Sequence, residues 1–243
     1  MEYIEKAIEY LKQLNSFESE NIMAAAKLLA DTIESGKCIF SFGASHSFIM
    51  TEEMVYRTGG LMLVNPIYPH GMNLSVRPMT QTSQFERLED IGKVLLDSSP
   101  IKDGDTLIIT STSGRNAVVI DMALRAKERN IKVIAITAIS YSDGVSSRHK
   151  SGKKLLDLAD IVIDNVAPKG DTIVELDGLP ATIGPLSTVT GIAIVNSIVV
   201  ETARLLIKRG ITPPVYISAN LDNGDSYNDK LLKENKDRIF YMD

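Results

Sequence analysis

The stretch Thr-Leu-Ile-Ile-Thr-Ser-Thr-Ser-Gly-Arg-Asn, residues 106–116, passes from an apolar run through a hydroxyl-rich turn into a helical pattern. The run at 106–110 is Leu-rich and β-branched without polar alternation, which predicts a strand that is buried on both faces. The spacing of apolar residues over 116–129 predicts the helix that follows. A strand, a tight turn and a helix in this order are typical of a parallel α/β sheet.

Four further runs of the same kind predict the other strands of the sheet. They are residues 38–43, 61–64, 132–137 and 161–163. The helices that we predict between and after the strands span residues 47–57, 85–96, 116–129, 153–158 and 185–208. This alternation predicts an α/β fold, doubly wound and Rossmann-like, around a mainly parallel five-stranded sheet.

Two apolar-periodic segments precede the predicted sheet, and a polar tail follows it. The spacing within residues 3–14 and 22–33 predicts an N-terminal helical hairpin over residues 1–35. The tail, residues 211–243, is rich in Asn and Asp and is expected to end in a short helix. Because no linker-like stretch interrupts the pattern, we predict one domain across residues 1–243.

The composition favours a packed, soluble protein of the cytoplasm. Hydrophobic residues make up 44% of the chain and charged residues 23%, and the net charge is −5. No basic cluster accompanies interleaved aromatic residues, so we expect no nucleic-acid partner. The single cysteine, Cys38, fits a reducing compartment. We also expect no signal peptide and no membrane partner, since polar residues interrupt the longest apolar stretch at 183–207.

The turn at residues 111–114 has the features of a phosphate site. A helix N-terminus presents unpaired N–H groups and a partial positive charge, and Ser and Thr hydroxyls add further donors. Gly114 would let the backbone approach the anion closely. The structural alternative is that Ser113 only caps the helix and Ser111 only ends the strand. A second turn of this kind, residues 43–47, follows the first strand, and the two turns can converge on one ligand.

Three segments of the chain follow the pattern of one known family. The first is Gly43-Ala44-Ser45-His46-Ser47, with Glu52, Glu53 and Gly59-Gly60 downstream, which resembles the first βα unit of phosphoheptose isomerases. The second, Ser111-Thr112-Ser113-Gly114, matches a phosphate loop of the form Ser-x-Ser-Gly. The third, residues 134–137 and 157–161, resembles a fourth strand and the start of a fifth. From about residue 21 to residue 209 the chain thus resembles the SIS (sugar isomerase) domain family of phosphosugar isomerases and phosphosugar-binding proteins.

The resemblance implies a phosphorylated sugar as ligand and a homodimer or homotetramer as the assembly. The residues that it places at the phosphosugar are Gly43, Ser45, His46, Ser111, Thr112, Ser113, Gly114 and Asn116. Phosphoheptose isomerases carry a metal-binding His and Glu one turn apart on the helix after the first glycine turn, where this chain has Thr51 and Val55. Nothing else has metal-ligand spacing, so we expect neither a metal nor another cofactor.

Two residues are candidates for the chemistry of aldose–ketose isomerisation, which needs a base beside the carbonyl carbon and an acid near the oxygens. Glu86, at the predicted start of a helix, is the first choice for the base, because an etherase-like glutamate falls in the corresponding helix. The alternative is a solvated glutamate favoured by the helix dipole. His70, in a loop past the second strand, is a candidate acid or ring-opening residue, or else an ordinary loop histidine. His149 lies in a basic segment that we interpret as a solvated helix start.

Three functions follow from the resemblance. The first is an enzyme, a sugar-phosphate (aldose–ketose) isomerase similar to phosphoheptose isomerases. The second is a lyase, because Ser113-Gly114-Arg115 and parts of the tail, residues 220–221, 228–231 and 238–239, resemble N-acetylmuramic acid phosphate etherases. The third is a non-catalytic phosphosugar sensor or adaptor, since SIS domains also serve as regulatory modules. A direct DNA-binding regulator is disfavoured, because the sequence has no visible helix-turn-helix.

Overall fold

A sheet of five parallel strands forms the centre of the computed structural model, which describes residues 1–242. The strand order is β2-β1-β3-β4-β5. The strands are β1 (Ile39–Gly43), β2 (Val64–Pro66), β3 (Thr106–Thr110), β4 (Lys132–Thr137) and β5 (Ile161–Asp164). The prediction of an α/β fold around a five-stranded parallel sheet is confirmed. Gly43 pairs with Thr110, and Thr110 with Ile136, so these three strands end at one edge of the sheet.

Helices precede, connect and follow these strands. They are α1 (Glu2–Phe17), α2 (Ser19–Glu34), α3 (Phe48–Met54), α4 (Thr80–Phe85), α5 (Ile91–Ser98), α6 (Ala117–Glu128), α7 (Ile139–Asp143), α8 (Ser187–Lys208) and α9 (Gly224–Asn235). A small antiparallel ribbon of β6 (Thr172–Val174) and β7 (Ile183–Pro185) precedes α8. Both N-terminal helices that we predicted are present, and the single residue Glu18 joins them.

Both faces of the sheet are covered, which explains the apolar runs without polar alternation. On one face Ile108 and Ile134 belong to a core that includes residues of α2, α3 and α8. On the other face Leu107 and Val133 pack with residues of α5 and α6. Alternate residues of one strand point to opposite faces, so a strand between two helical layers needs apolar side chains at every position.

The helix α8 is long and apolar enough, by length and composition, to cross a membrane. In the structure its residues Ile194, Val195 and Ile198 are fully buried in the core beneath the sheet. The same helix packs along α2. One face of α8 is therefore buried in the core, while Val200 and Ile207 on the same helix are exposed.

Several element boundaries differ from the sequence prediction. The predicted helix at 85–96 begins only at Ile91, as α5, because α4 has already ended at Phe85 and residues 86–90 form turns. The last of these, Asp90, has a φ of +68°. The N–H of Asp90 donates to the carboxylate of Asp121 at 2.6 Å. The predicted helix at 153–158 is only one 3-10 turn, Leu155–Asp157. The second strand starts at Val64 rather than at Leu61, because the N–H of Met62 bonds to a carbonyl of the tail.

Candidate functional site

A cleft of about 250 Å³ opens at the carboxyl ends of β1 and β3. Strands β1 and β3 are neighbours in the sheet, and the chain winds outward in opposite directions on either side of them. Ligands of doubly wound sheets bind at such a reversal. The structure brings most of the predicted site residues to this cleft. They are Ser45, His46, Glu86, Ser111, Thr112, Ser113 and Asn116.

The turn after β1 is shaped by Gly43 and Ser45. A side chain at position 43 would collide with the carbonyl group of Ser47, so the chain can turn back over β1 only if this residue is glycine. Ser45 has a φ of +51°, and its N–H donates to the carbonyl of Met72 at 2.7 Å. This fixed backbone directs the Ser45 hydroxyl into the cleft, where it donates to Glu86.

The loop after β3 is held by its own backbone and by neighbouring loops. The carbonyl of Thr112 accepts from the N–H of Ala138 at 2.9 Å. Gly114 has a φ of +60°, and its N–H donates to the Ser111 hydroxyl at 3.3 Å. The helix α6 begins only at Ala117, with Asn116 as the preceding residue, so Ser113 is not the cap of that helix.

The same loop leaves several hydrogen-bond donors without a protein partner. Within residues 1–242, neither the Ser113 hydroxyl nor the Thr112 hydroxyl has one. The same is true of the backbone N–H groups of Thr112, Ser113, Arg115 and Asn116. Clustered N–H groups and hydroxyls of this kind suit an anion with several oxygens.

Glu86 joins the two loops. One of its carboxylate oxygens accepts from the Ser45 hydroxyl at 2.7 Å, and the other accepts from the Asn116 side-chain amide at 2.7 Å. Its backbone carbonyl accepts from the N–H of Val118, in the first turn of α6. The interpretation as a solvated glutamate at a helix start is therefore wrong: Glu86 is half-buried and follows the end of α4.

Arg148 fixes the orientation of the Asn116 side chain. Its guanidinium donates to the amide oxygen of Asn116 at 2.9 Å. Because arginine has only donors, the oxygen of the Asn116 amide must point to Arg148 and its NH2 group to Glu86. The three side chains thus form one directed chain of hydrogen bonds.

The two candidate histidines have different positions. His46 is exposed and lines the cleft. His70 is also exposed, but it is not among the residues that line the cleft. Its ring lies near that of Tyr68, in the loop whose residue Met72 holds the backbone of Ser45. The structure therefore does not bring His70 to the lining of the cleft.

His149 is not part of a solvated helix start, as the sequence suggested. Its side chain is only 2% exposed and lies 3.0 Å from the Asp121 carboxylate through Nε2. The N–H of Ser151 donates to Nδ1 at 3.1 Å, so Nε2 is the nitrogen that donates to Asp121. Burial raises the pKa of the Asp121 carboxyl. This pair ties the loop that carries Arg148 to α6.

Tyr141, Gly170 and Asp171 complete the cleft and were not predicted. The Asp171 carboxylate accepts from the N–H of Ser187 at 2.7 Å and from its hydroxyl at 2.6 Å. These residues come after β4 and β5, so the rule that pointed to the ends of β1 and β3 could have found them.

The two positions that correspond to metal ligands in phosphoheptose isomerases have other roles here. The Thr51 hydroxyl is buried and shares a hydrogen bond of 2.8 Å with Ser41. Val55 follows the last residue of α3. Among the residues that the structure describes, no group of three or more His, Cys, Asp or Glu side chains could hold a metal ion.

Comparisons with known sequences agree with this architecture. The family model described as SIS domain matches residues 2–138. A UPF0309 protein of Oceanobacillus iheyensis is 47% identical over 241 residues, which is 99% of this chain and 98% of that protein. A UPF0309 protein of Shouchella clausii is 44% identical over 246 residues, and the match covers 100% of both chains.

Solved structures with the same fold include two phosphoheptose isomerases. The enzyme from Francisella tularensis has a TM-score of 0.54 at 17% identity, covering 84% of this chain and 95% of that one. The enzyme from Neisseria gonorrhoeae has a TM-score of 0.53 at 17% identity, covering 83% and 95%. At this level of identity the likeness shows a shared fold.

Gly114→Ala, in the loop after β3, should lower the free energy of unfolding more than Gly152→Ala, in a different loop. Gly114 and Gly152 both have a positive φ, of +60° and +69°, but only a Cβ at Gly114 would meet a neighbour, Thr137 Oγ1 at 3.0 Å. We expect Gly152→Ala to lower the free energy of unfolding by about 1–2 kcal/mol through backbone strain alone. Gly114→Ala should cost roughly 1 kcal/mol more. Urea unfolding of both variants measures the difference, and equal losses would contradict this packing.

Proposed function

Because the chain belongs to the SIS domain family, we propose that its cleft binds a phosphorylated sugar and that the protein is a sugar-phosphate isomerase. One observation carries the proposal. The loop with unpartnered hydroxyls and N–H groups, residues 111–116, and the carboxylate of Glu86 line the same cleft. An anion site beside a carboxylate is what the reaction needs, since one part holds the phosphate and the other moves a proton.

We assign the phosphate to the loop after β3. Ser113 is the best placed donor, because its hydroxyl lines the cleft and has no protein partner in residues 1–242. Ser111 has a double role, since its oxygen also accepts from the N–H of Gly114. The N–H groups that precede α6 add donors and the positive end of the helix dipole.

We assign the role of base to Glu86. The Ser45 hydroxyl and the Asn116 amide hold its two oxygens, so its position relative to the phosphate loop is fixed before the ligand arrives. In the proposed reaction its carboxylate removes the proton from C2 of an open-chain aldose phosphate. The C2–H electron pair forms the C1=C2 double bond, and the aldehyde oxygen takes a proton from an acid. Glu86 then returns its proton to C1, while the C2 hydroxyl loses its proton and becomes the ketone.

We propose His46 as the acid that faces the ligand, because it is a cleft-lining histidine. His70, the acid that the sequence suggested, is retained as an assisting residue of the loop behind Ser45. Comparing the turnover of the His46→Asn and His70→Asn variants separates the two roles. The variant that lacks the histidine protonating the substrate oxygen should have the lower turnover.

The substitution Ser113→Ala should weaken the binding of a phosphosugar without affecting the fold. It removes one charge-assisted hydrogen bond, worth roughly 1.5–3 kcal/mol, so calorimetry should show an affinity loss of about ten- to hundredfold. Ser197→Ala is the control, because its hydroxyl donates to a carbonyl within α8, far from the cleft. The unphosphorylated sugar should bind weakly to every variant. An unchanged affinity for Ser113→Ala would contradict the assignment of the Ser113 hydroxyl to the phosphate.

The substitution Glu86→Gln should abolish most turnover while binding persists. Glutamine can keep both contacts if the Ser45 hydroxyl reverses and accepts, but it cannot take up a proton. We expect turnover of an aldose phosphate, and exchange of its C2 proton with deuterated water, to fall by about a hundredfold or more. The control is Glu89→Gln, a partly buried glutamate that pairs with Lys150 and does not line the cleft.

If Glu86→Gln turns over as fast as the parent, another group is the base. If the parent binds phosphosugars but neither isomerises them nor cleaves an ether-linked phosphosugar, the protein is a sensor rather than an enzyme.

We also propose that the chain is one domain.

We propose further that the chain self-associates through α1. Ile4 and Ile8 are 52% and 46% exposed, and they lie on one face of that helix. Light scattering at micromolar concentration should give the mass of a dimer or tetramer. Changing both isoleucines to Glu should reduce that mass to one chain, because it would bury two unpaired charges. Glu9→Ala, at an exposed position of the same helix outside that face, should not change the mass. A parent that is itself monomeric would contradict the proposal.

A further inference from the structure

Three arginines lie beside the cleft, and we refer to them as the arginine cluster: Arg87, Arg115 and Arg148. Arg87 follows Glu86 in the chain, and the N–H of Arg148 donates to the carbonyl of Arg115 at 2.9 Å. Within residues 1–242, none of the three has a carboxylate within ion-pair distance, although nearby basic side chains do. Lys150 pairs with Glu89 at 2.9 Å, and Lys154 lies 3.8 Å from Asp143.

The guanidinium of Arg148 lies against the cleft wall. It donates to the amide oxygen of Asn116 at 2.9 Å, and both Asn116 and Glu86 line the cleft. The Arg115 side chain has one long contact, to the Ser146 hydroxyl at 3.4 Å. Its Nε is buried and has no acceptor among the described residues. The cluster thus has donors that no protein oxygen satisfies.

The positive charges of these side chains repel one another, and the pKa of Arg148 shows the effect. Partial desolvation lowers the pKa of the Arg148 guanidinium, and the positive charges of Arg115 and Arg87 lower it further. Like charges held together in this way favour a bound anion, which would relieve the repulsion. The negative charge of Glu86 acts on the Arg148 pKa in the opposite direction.

None of the three arginines is among the residues that line the cleft, and the loop at 111–116 supplies the proposed phosphate site without them. We propose that the arginine cluster binds a second anionic group of the same phosphosugar, a carboxylate or a second phosphate. The inference rests on the proposed function, and it narrows the substrate class to doubly anionic sugar phosphates. The planar fork of a guanidinium matches the paired oxygens of either group.

Calorimetry with three probes tests the inference. Glucose 6-phosphate has one anionic group, 6-phosphogluconate adds a carboxylate, and fructose 1,6-bisphosphate adds a second phosphate. We expect the parent protein to bind at least one of the latter two about tenfold or more tightly than glucose 6-phosphate. The probe with the advantage identifies the second group.

Two variants assign this advantage to the cluster. Arg148→Met removes the charge beside Asn116, and Arg115→Met removes one that does not contact the Asn116 side chain. The ratio of the two affinities should fall toward one in both variants, whatever happens to binding overall. Arg125→Met is the control, because that arginine is already paired with Asp97 at the other end of α6, and it should keep the parent's ratio. Thermal unfolding checks that each variant is folded.

The possible outcomes separate the two proposals. If glucose 6-phosphate binds and neither doubly anionic probe binds more tightly, the inference is overturned while the proposed function stands. The same holds if the advantage survives in both cluster variants. If none of the three probes binds the parent protein, the phosphate site itself fails, and the inference fails with it.

Discussion

The carboxylate of Glu86 is the contact on which the arrangement of the cleft depends. It accepts one hydrogen bond from the loop after β1 and one from the residue that precedes α6, both at 2.7 Å. A hydrogen bond to a charged group contributes roughly 1.5–3 kcal/mol, more than a neutral one. Because both contacts are to the same carboxylate, they hold the loop after β1 and the start of α6 at a fixed separation across the cleft. The same carboxylate is linked through Asn116 to Arg148, and its negative charge opposes the lowering of the Arg148 pKa by the neighbouring arginines.

Hydrogen-bond donors surround this carboxylate on more than one side. Hydroxyls and N–H groups of the loop after β3 line one side, and the guanidinium of Arg148 stands behind Asn116. The buried pair of His149 and Asp121 holds the segment that carries Arg148 against α6. Each donor is therefore carried by an element that is fixed by contacts outside the cleft. Such preorganisation lowers the cost of ordering side chains when a ligand binds.

The sequence was most informative where structure is decided locally. The strands β3 and β4 have the predicted bounds, because an unbroken apolar run can only be buried on both faces. Cleft residues such as Ser45 and Ser113 were predicted because they follow strand ends. Distant contacts decided the rest. The carboxylate of Asp121 accepts from the N–H of Asp90 and holds it in a turn where a helix was predicted, and Met62 pairs with the tail instead of extending β2. His149 was misread because its partner lies 28 positions away in the chain.

Asp171 places a negative charge in the wall of the cleft. Its carboxylate forms part of the wall, yet it is occupied by the first N–H groups of α8 and by the Ser187 hydroxyl. These contacts hold the carboxylate in place at the start of the longest helix that the structure describes. Asp171 thus adds a fixed negative charge to a cleft whose other wall residues include the donors of the loop after β3. Electrostatic repulsion from Asp171 opposes binding of an anionic group beside it and favours its binding at that loop.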